Sequence, residues 1–295
     1  AVNVEFSMEA NPGTVDEEKL AAMKAGGVNR LSFGVQSFDN KLLHDIGRIH
    51  DTSDVYRSLE AARKAGFTNL SIDLMFGLPN QTLEQLDHTL SAALALDLPH
   101  YSIYSLKVEE NTLFYKLYQR DELPLPDEDT ELEMYRLIMD RLQAAGYEQY
   151  EISNFARPGF ESRHNMTYWR NEPYYGIGAG AHGYAARLRH MNIRGVQPYI
   201  RACRTGLPRA EEHPVSEQEA MEDFMMVGLR MLRGVSNEDF RRQFAVSMEE
   251  AFGQTLSRLL TQGLLERTED GYRLSRQGLI YGNEVFGAFV GVLSG

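Results

Sequence analysis

Apolar positions along this chain follow two rhythms that alternate. Val2 to Met8 (VNVEFSM) steps between apolar and polar residues, as a half-buried strand does. The ANPGT turn follows. Val15 to Ala25 has helical spacing, acidic residues in its first turn and Gly26-Gly27 at its end. Arg30 to Val35 (RLSFGV) is strand-like again. Helical stretches follow over Asn40 to Ile46 and Ser53 to Ala65, the second ended by Gly66. Asn69 to Phe76 (NLSIDLMF) is a strand, GLPNQT its turn, Leu83 to Leu96 an amphipathic helix and His100 to Leu106 (HYSIYSL) another strand. Strand and helix thus alternate four times over short connections, which predicts a parallel sheet with crossover helices. Four units are too few to close an eight-fold barrel, so the expected α/β fold is a partial (β/α) barrel.

Further on the pattern changes. Asp121 to Asp129 is an acidic, Pro-bearing surface loop, Glu131 to Ala145 a helix stopped by Gly146, and Tyr150 to Phe155 (YEISNF) reads as one more strand. The pair Glu109-Glu110 suits the opening of a helix, where carboxylates face the positive end of the dipole. From Arg209 the character is different. A helix over Ser216 to Arg233, a second started by Ser236 as N-cap, a third over Met248 to Gln262, and a hairpin turning at Glu269-Asp270-Gly271 give a winged-helix outline, with a last helical stretch from Gln277. The expected boundary lies within 207–214, dividing the chain into 1–207 and 208–295.

Composition narrows the class. The chain of 295 residues is 43% hydrophobic and 24% charged, which is globular, and its net charge of −12 gives it no bulk attraction for nucleic acid or anionic membrane. No apolar run reaches the ~18 residues of a membrane span, and no secretory signal is visible. Cys203 is the single thiol, so no intramolecular disulfide is available and the expected compartment is the cytoplasm. One thiol is also too few for an iron–sulfur cluster. The sequence starts without Met in mid-strand, so the expectation is a piece of a longer parent.

In parallel α/β sheets, ligands sit beyond the carboxyl ends of the strands. Four polar residues fall at or near such ends: Glu9 in SMEANPGT, Gln36 in FGVQSF, Arg48 in DIGRIH and Asp73 in SIDLMFGLP. Each has a plain structural use. Glu9 can cap a turn, Gln36 brace a loop, Arg48 form a surface ion pair, and Asp73 bond to neighbouring backbone amides. Asp73 stands out because a carboxylate inside an apolar strand is costly to bury without a partner. Together, two acids, an amide and a guanidinium can grip one polar molecule: carboxylate and amide suit hydroxyl and amino groups, and an Arg fork suits a carboxylate.

A second concentration is SRHNMTYW at 162–169, followed by GIGAGAHGY at 176–184. His164 fits a hydrogen-bonded structural histidine, an acid–base group, or an axial donor to haem iron. Tyr168 and Trp169, the only tryptophan, suit a flat aromatic ligand or an interface core. The glycine run has neither a P-loop ending nor the dinucleotide spacing, so its glycines serve close backbone approach, with His182 closing a turn.

In order, MEANPGT, GVNRLSFGVQSFD, IGRIH, GFTNLSIDLMFGLPNQT, YSIYSLKVEENT, YEISNFARPGFESRHNMTYW and YYGIGAGAHGY resemble the radical S-adenosylmethionine proteins related to oxygen-independent coproporphyrinogen III oxidase. HNMTYW at 164–169 is similar to the HNxxYW signature of the HemW-type haem-chaperone branch. The resemblance covers residues 1 to about 200 and, more loosely, the tail. It implies a partial barrel with Glu9, Gln36, Arg48 and Asp73 holding S-adenosylmethionine, and His164 contacting haem. It also implies a 4Fe-4S cluster in the complete protein. The family's CxxxCxxC loop and the glycine-rich segment after it are not in this sequence, and Cys203 matches neither. The expectation is therefore a chain that enters its parent at the third strand, carries no metal ligands and is inactive in radical chemistry by itself, with an uncovered sheet edge that favours self-association. The implied partners are haem and a haem-accepting protein, with peripheral membrane contact open through that acceptor, and no nucleic acid. Two rival functions remain: a porphyrinogen-decarboxylating oxidase, and a cluster-free member that binds a small molecule or a partner.

Overall fold

A computed structural model describes residues 4–293 and divides the chain into two compact units, 1–162 and 163–295. In the first, the order is β1 (Ser7–Ala10), α1 (Glu17–Ala25), β2 (Arg30–Gln36), α2 (Asn40–Asp45), α3 (Thr52–Lys64), β3 (Asn69–Phe76), α4 (Leu83–Leu94), β4 (His100–Ser105), α5 (Leu113–Tyr118), α6 (Glu128–Ala144), β5 (Glu148–Glu151) and β6 (Asn154–Ala156). These six strands form one sheet in the order β1-β2-β3-β4-β6-β5. The first four run parallel, and β6 pairs antiparallel with both β4 and β5.

Alternation along the strands sorts this sheet into two faces. Leu31, Phe33 and Val35, Leu70, Ile72 and Leu74, and Tyr101 and Ile103 point to one side and pack with Leu20, Leu59, Leu90 and Ile138 of the covering helices. The other face carries Arg30, Ser32 and Gly34, then Ser71 and Asp73, then His100, Ser102 and Tyr104, aligned by the register Ser32↔Ser71↔His100 and Gly34↔Asp73↔Ser102. A parallel strand buried on both faces reads as a continuous apolar run; these strands alternate because one face serves as a polar wall. Helix starts are set locally. Asp51 and Asp54 make a reciprocal capping box on α3, as do Thr82 and Gln85 on α4.

The second unit holds α7 (Arg163–Trp169), β7 (His182–Ala185), β8 (Leu188–Asn192), α8 (Val196–Cys203), β9 (Arg209–Pro214), α9 (Glu217–Gly228), β10 (Val235–Ser236), α10 (Asn237–Phe244), α11 (Met248–Thr261), β11 (Leu265–Arg267), β12 (Gly271–Leu274), α12 (Arg276–Ile280) and α13 (Gly282–Gly287). One three-stranded sheet has the order β7-β8-β9, another β10-β12-β11. The helices α9 to α11 with the second sheet form the winged-helix outline read from the sequence. Its hairpin turns between Arg267 and Gly271, and Ser236 caps α10 by accepting from Asp239 N. Phe240 sits at the centre, in ring contact with Phe224, Phe244 and Phe252.

Several local expectations shift. The first strand starts at Ser7 rather than Val2, with Val2 and Asn3 outside the described residues; just before it, the Phe6 carbonyl accepts from the Asn29 and Arg30 amides and the Phe6 amide donates to Asn29 Oδ1 at 2.9 Å. Residues 150–155 are not one strand but the β5–β6 hairpin. The start of α5 is capped by Thr112, whose Oγ1 accepts from Tyr115 N at 3.1 Å, and Glu109-Glu110 lies in the turn before it. The expected boundary at 207–208 falls inside the second compact unit, because β9 (Arg209–Pro214) continues the sheet begun by β7 and β8.

Candidate functional site

At the carboxyl ends of β1 to β3, Gln36 and Arg48 meet at Gly34 with Asp73 across the register, while Glu9 stands at the level of Ser32 on the neighbouring strand. A β-bulge between Gly34 and Gln36 turns the end of β2, and Gln36 adopts φ 71°, a left-handed conformation. Its amide is thereby turned back over its own strand: a Cβ on Gly34 would lie 3.0 Å from Gln36 Nε2, 3.3 Å from Arg48 Nη2 and 3.3 Å from Asn11 Oδ1. Arg48 Nη2 donates to Asn11 Oδ1 at 2.6 Å and to the Gly34 carbonyl at 2.7 Å, so it ties the loop after β1 to the bend in β2. His50, buried two residues on, bonds the Val35 carbonyl through Nε2 at 3.1 Å and fixes the loop that carries Arg48. Burial lowers the Arg48 pKa, but a guanidinium stays charged at any physiological pH.

Across the register from Gly34 stands Asp73, whose Oδ1 accepts from Ser32 Oγ at 3.0 Å. Glu9, at the level of Ser32 on β1, has an exposed side chain. The Asp73 pKa is raised, first by burial and then by the charge of Glu9, against hydrogen bonds from Ser32 and Ser102 and the nearby Arg30. The two carboxylates therefore face one space. Such a pair, near a charged guanidinium and an amide, suits a ligand with both cationic or hydroxylic groups and a carboxylate.

Sequence reasoning missed the wall below these residues. His100 is buried; its Nδ1 lies 2.7 Å from Ser71 Oγ and 3.3 Å from Arg30 Nη2, and its Nε2 lies 2.9 Å from Tyr150 Oη. Burial, then Arg30, holds the His100 pKa well below its usual value. The missed signal was the two-residue spacing of polar positions at 30/32/34, 71/73 and 100/102/104. Asn11 was passed over as a turn residue.

The second candidate site is α7. His164 is exposed, and its ring stands edge-on to Tyr168, one helical turn along, at 4.8 Å between centroids. Tyr168 in turn meets Tyr174 edge-on at 4.6 Å. A cavity of about 460 Å³ is lined by Tyr168, Tyr174, Tyr175, Ile177 and His182, with the glycine run between them. Trp169 lies under the Arg230 guanidinium at 4.5 Å. The glycines do serve close backbone approach. Tyr174 pairs with Tyr184, and a Cβ on Gly176 would collide with the His182 carbonyl. Asn192 Nδ2 holds the Gly176 and Gly178 carbonyls, each at 3.0 Å. His182 begins β7 with an exposed side chain and does not close a turn by a side-chain bond.

The Radical SAM superfamily profile matches residues 1–93, and the HemN C-terminal domain profile residues 215–281. A heme chaperone HemW from Bacillus subtilis is 49% identical over 98% of this chain and 76% of its own length. The chain belongs to the HemW family of radical SAM proteins. HemW of Lactococcus lactis is 44% identical over 97% of this chain and 75% of its own length, and HemW of Escherichia coli 34% over 98% and 76%. Among solved structures, coproporphyrinogen III oxidase (HemN) from E. coli superposes with a TM-score of 0.80, covering 97% of this chain and 69% of that one at 21% identity, which establishes a shared fold. In this HemW-family chain, Cys203 is exposed on α8, and among the described residues no cluster of three or more His, Cys, Asp or Glu side chains is placed to hold a metal ion. Its donors do not make an iron–sulfur site.

Proposed function

We propose that this chain binds haem through His164 and S-adenosylmethionine through Glu9, Gln36, Arg48 and Asp73, and passes haem to an acceptor protein in the cytoplasm. The observation that carries the haem site is the exposed His164 imidazole, held edge-on by Tyr168 within HNMTYW, in a chain that aligns with HemW proteins over almost its whole length. An imidazole nitrogen is an ordinary donor to haem iron, and the Tyr168–Tyr174 ladder offers aromatic surface to a flat macrocycle.

The residues of the first unit fit S-adenosylmethionine. That ligand brings a sulfonium cation, an ammonium, a carboxylate and ribose hydroxyls. Glu9 and Asp73 would receive cationic or hydroxyl groups, and Arg48 the carboxylate. The bare Cα of Gly34 keeps the cradle between Gln36, Arg48 and Asn11 open. A cation beside Asp73 favours its charged form and so offsets the burial that raises its pKa. The 4Fe-4S cluster that the family implies would need thiolate ligands that these residues do not supply.

The test is a haem titration followed by visible absorption. The wild-type chain should give a shifted Soret band that saturates, and His164→Ala should lose it or weaken affinity at least roughly tenfold. Identical spectra for the two proteins would remove His164 from the haem site.

A further inference from the structure

The helix α7 divides the HNMTYW segment between two flanks. At ~100° per residue, His164 and Tyr168 lie one above the other, while Trp169 points about 140° away from His164. The flanks border different spaces. Tyr168 lines the cavity of about 460 Å³ with Tyr174 and His182, whereas Trp169 lines another of about 1010 Å³ with Phe224, Gly228 and Val235.

On that second flank Trp169 is gripped by a cation. The Arg230 guanidinium, just after α9, stacks over the indole at 4.5 Å and over the ring of Phe286 on α13 at 5.3 Å. Among the described residues Arg230 forms no ion pair, and its buried Nε has no hydrogen-bond partner. Two aromatic faces therefore fix the guanidinium. The indole Nε1 is also buried without a partner, so the ring face is the part of Trp169 in use. Its carbonyl approaches Gly228 of α9, 3.8 Å from where a Cβ would stand.

We propose that Trp169 is a positioning residue, clamped by Arg230 and Phe286, that sets where α7 presents His164. This rests on the reading of His164 as the haem donor. A helix of seven residues is too short to hold its shape alone, so its aim depends on the side chains that moor it. Haem lies against the His164 and Tyr168 flank, and the indole does not touch it. Arg230 acts on haem binding through Trp169.

Trp169 is the chain's only tryptophan, so its emission reports on the clamp before haem is added. Arg230→Gln should red-shift that emission and raise acrylamide quenching. Arg230→Lys keeps the cation and should stay close to wild type. In haem titrations of the full chain, Arg230→Gln and Trp169→Leu should each weaken affinity roughly tenfold without moving the Soret maximum, because the iron keeps its donor. The double variant should bind no more weakly than either single one, since residues acting through one contact are not additive. Trp169→Phe should match wild type, for it keeps a ring face and loses only an N–H that bonds nothing. Equal losses of affinity in Trp169→Phe and Trp169→Leu would place the indole N–H on haem and overturn the proposal. So would additive losses in the double variant, or wild-type emission and affinity in Arg230→Gln. A wild-type chain without a His164-dependent Soret band would remove the haem reading, while the emission arm would still decide whether Arg230 holds Trp169.

Discussion

Asp73 is the residue on which most of the proposed chemistry turns, and its cost is measurable. Its folded pKa is raised by burial, so the fold favours the protonated acid. The stability this gives is complete below the ordinary carboxylate pKa of ~3.9 and is lost as pH rises through the raised folded value. Asp73→Asn should therefore melt higher than wild type at pH 7, by about 2–4 °C for each kcal/mol recovered. The gain should vanish toward pH 4, while calorimetric affinity for S-adenosylmethionine falls. An equal or lower melting point at pH 7 would show that Ser32 and Ser102 repay the burial in full. His100 has the opposite sign. Its folded pKa is depressed, so its stabilising contribution is present above ~6.5 and lost as pH falls below that value. Denaturant midpoints between pH 7.5 and 5 should drop, and His100→Gln should flatten that slope even if it lowers stability overall.

At the scale of elements, the end of β2 makes the cradle. Gly34 has no positive φ, so a methyl group there meets no backbone obstacle, only Gln36 Nε2 and the Arg48–Asn11 pair. Gly34→Ala should keep the fold, change stability by less than about 1.5 kcal/mol, and weaken S-adenosylmethionine roughly tenfold by pushing aside the amide. Titration calorimetry beside a thermal melt separates the two effects. Much at this scale could be read beforehand. The four strand–helix alternations, the Ser236 cap and the three-helix-plus-hairpin tail follow from local sequence, which depends on near neighbours. The β5–β6 hairpin could not be read so easily, because six residues with mixed polarity fit a strand as well as a two-residue turn. The β7–β9 sheet was also missed. Its strands carry His182, Arg189, His190 and Glu211 in place of an apolar alternation, and their pairing depends on residues far apart in sequence.

For the molecule as a whole, the sequence located the residues of both candidate sites but not what surrounds them. Glu9, Gln36, Arg48 and Asp73 could be picked out because strand ends are where α/β sheets place polar groups. The meeting of Gln36 and Arg48 at Gly34 depends on a bulge and a left-handed Gln36, which no propensity encodes. Net charge misled in one respect. A sum of −12 concealed a tract without acids, 173–210, and only the ion-pair geometry showed that Arg194, Arg201 and Arg204 in it form no ion pair among the described residues.

The reversal of direction at β6 has its own consequence. Beside β4 the rim of the first unit is furnished by the bend between β5 and β6, where Ile103 N donates to the Ser153 carbonyl at 2.7 Å. A connection that short has no slack to swing outward, so this flank of the opening is a fixed sill. Any adjustment at this end of the sheet falls to the longer connections on the other strands.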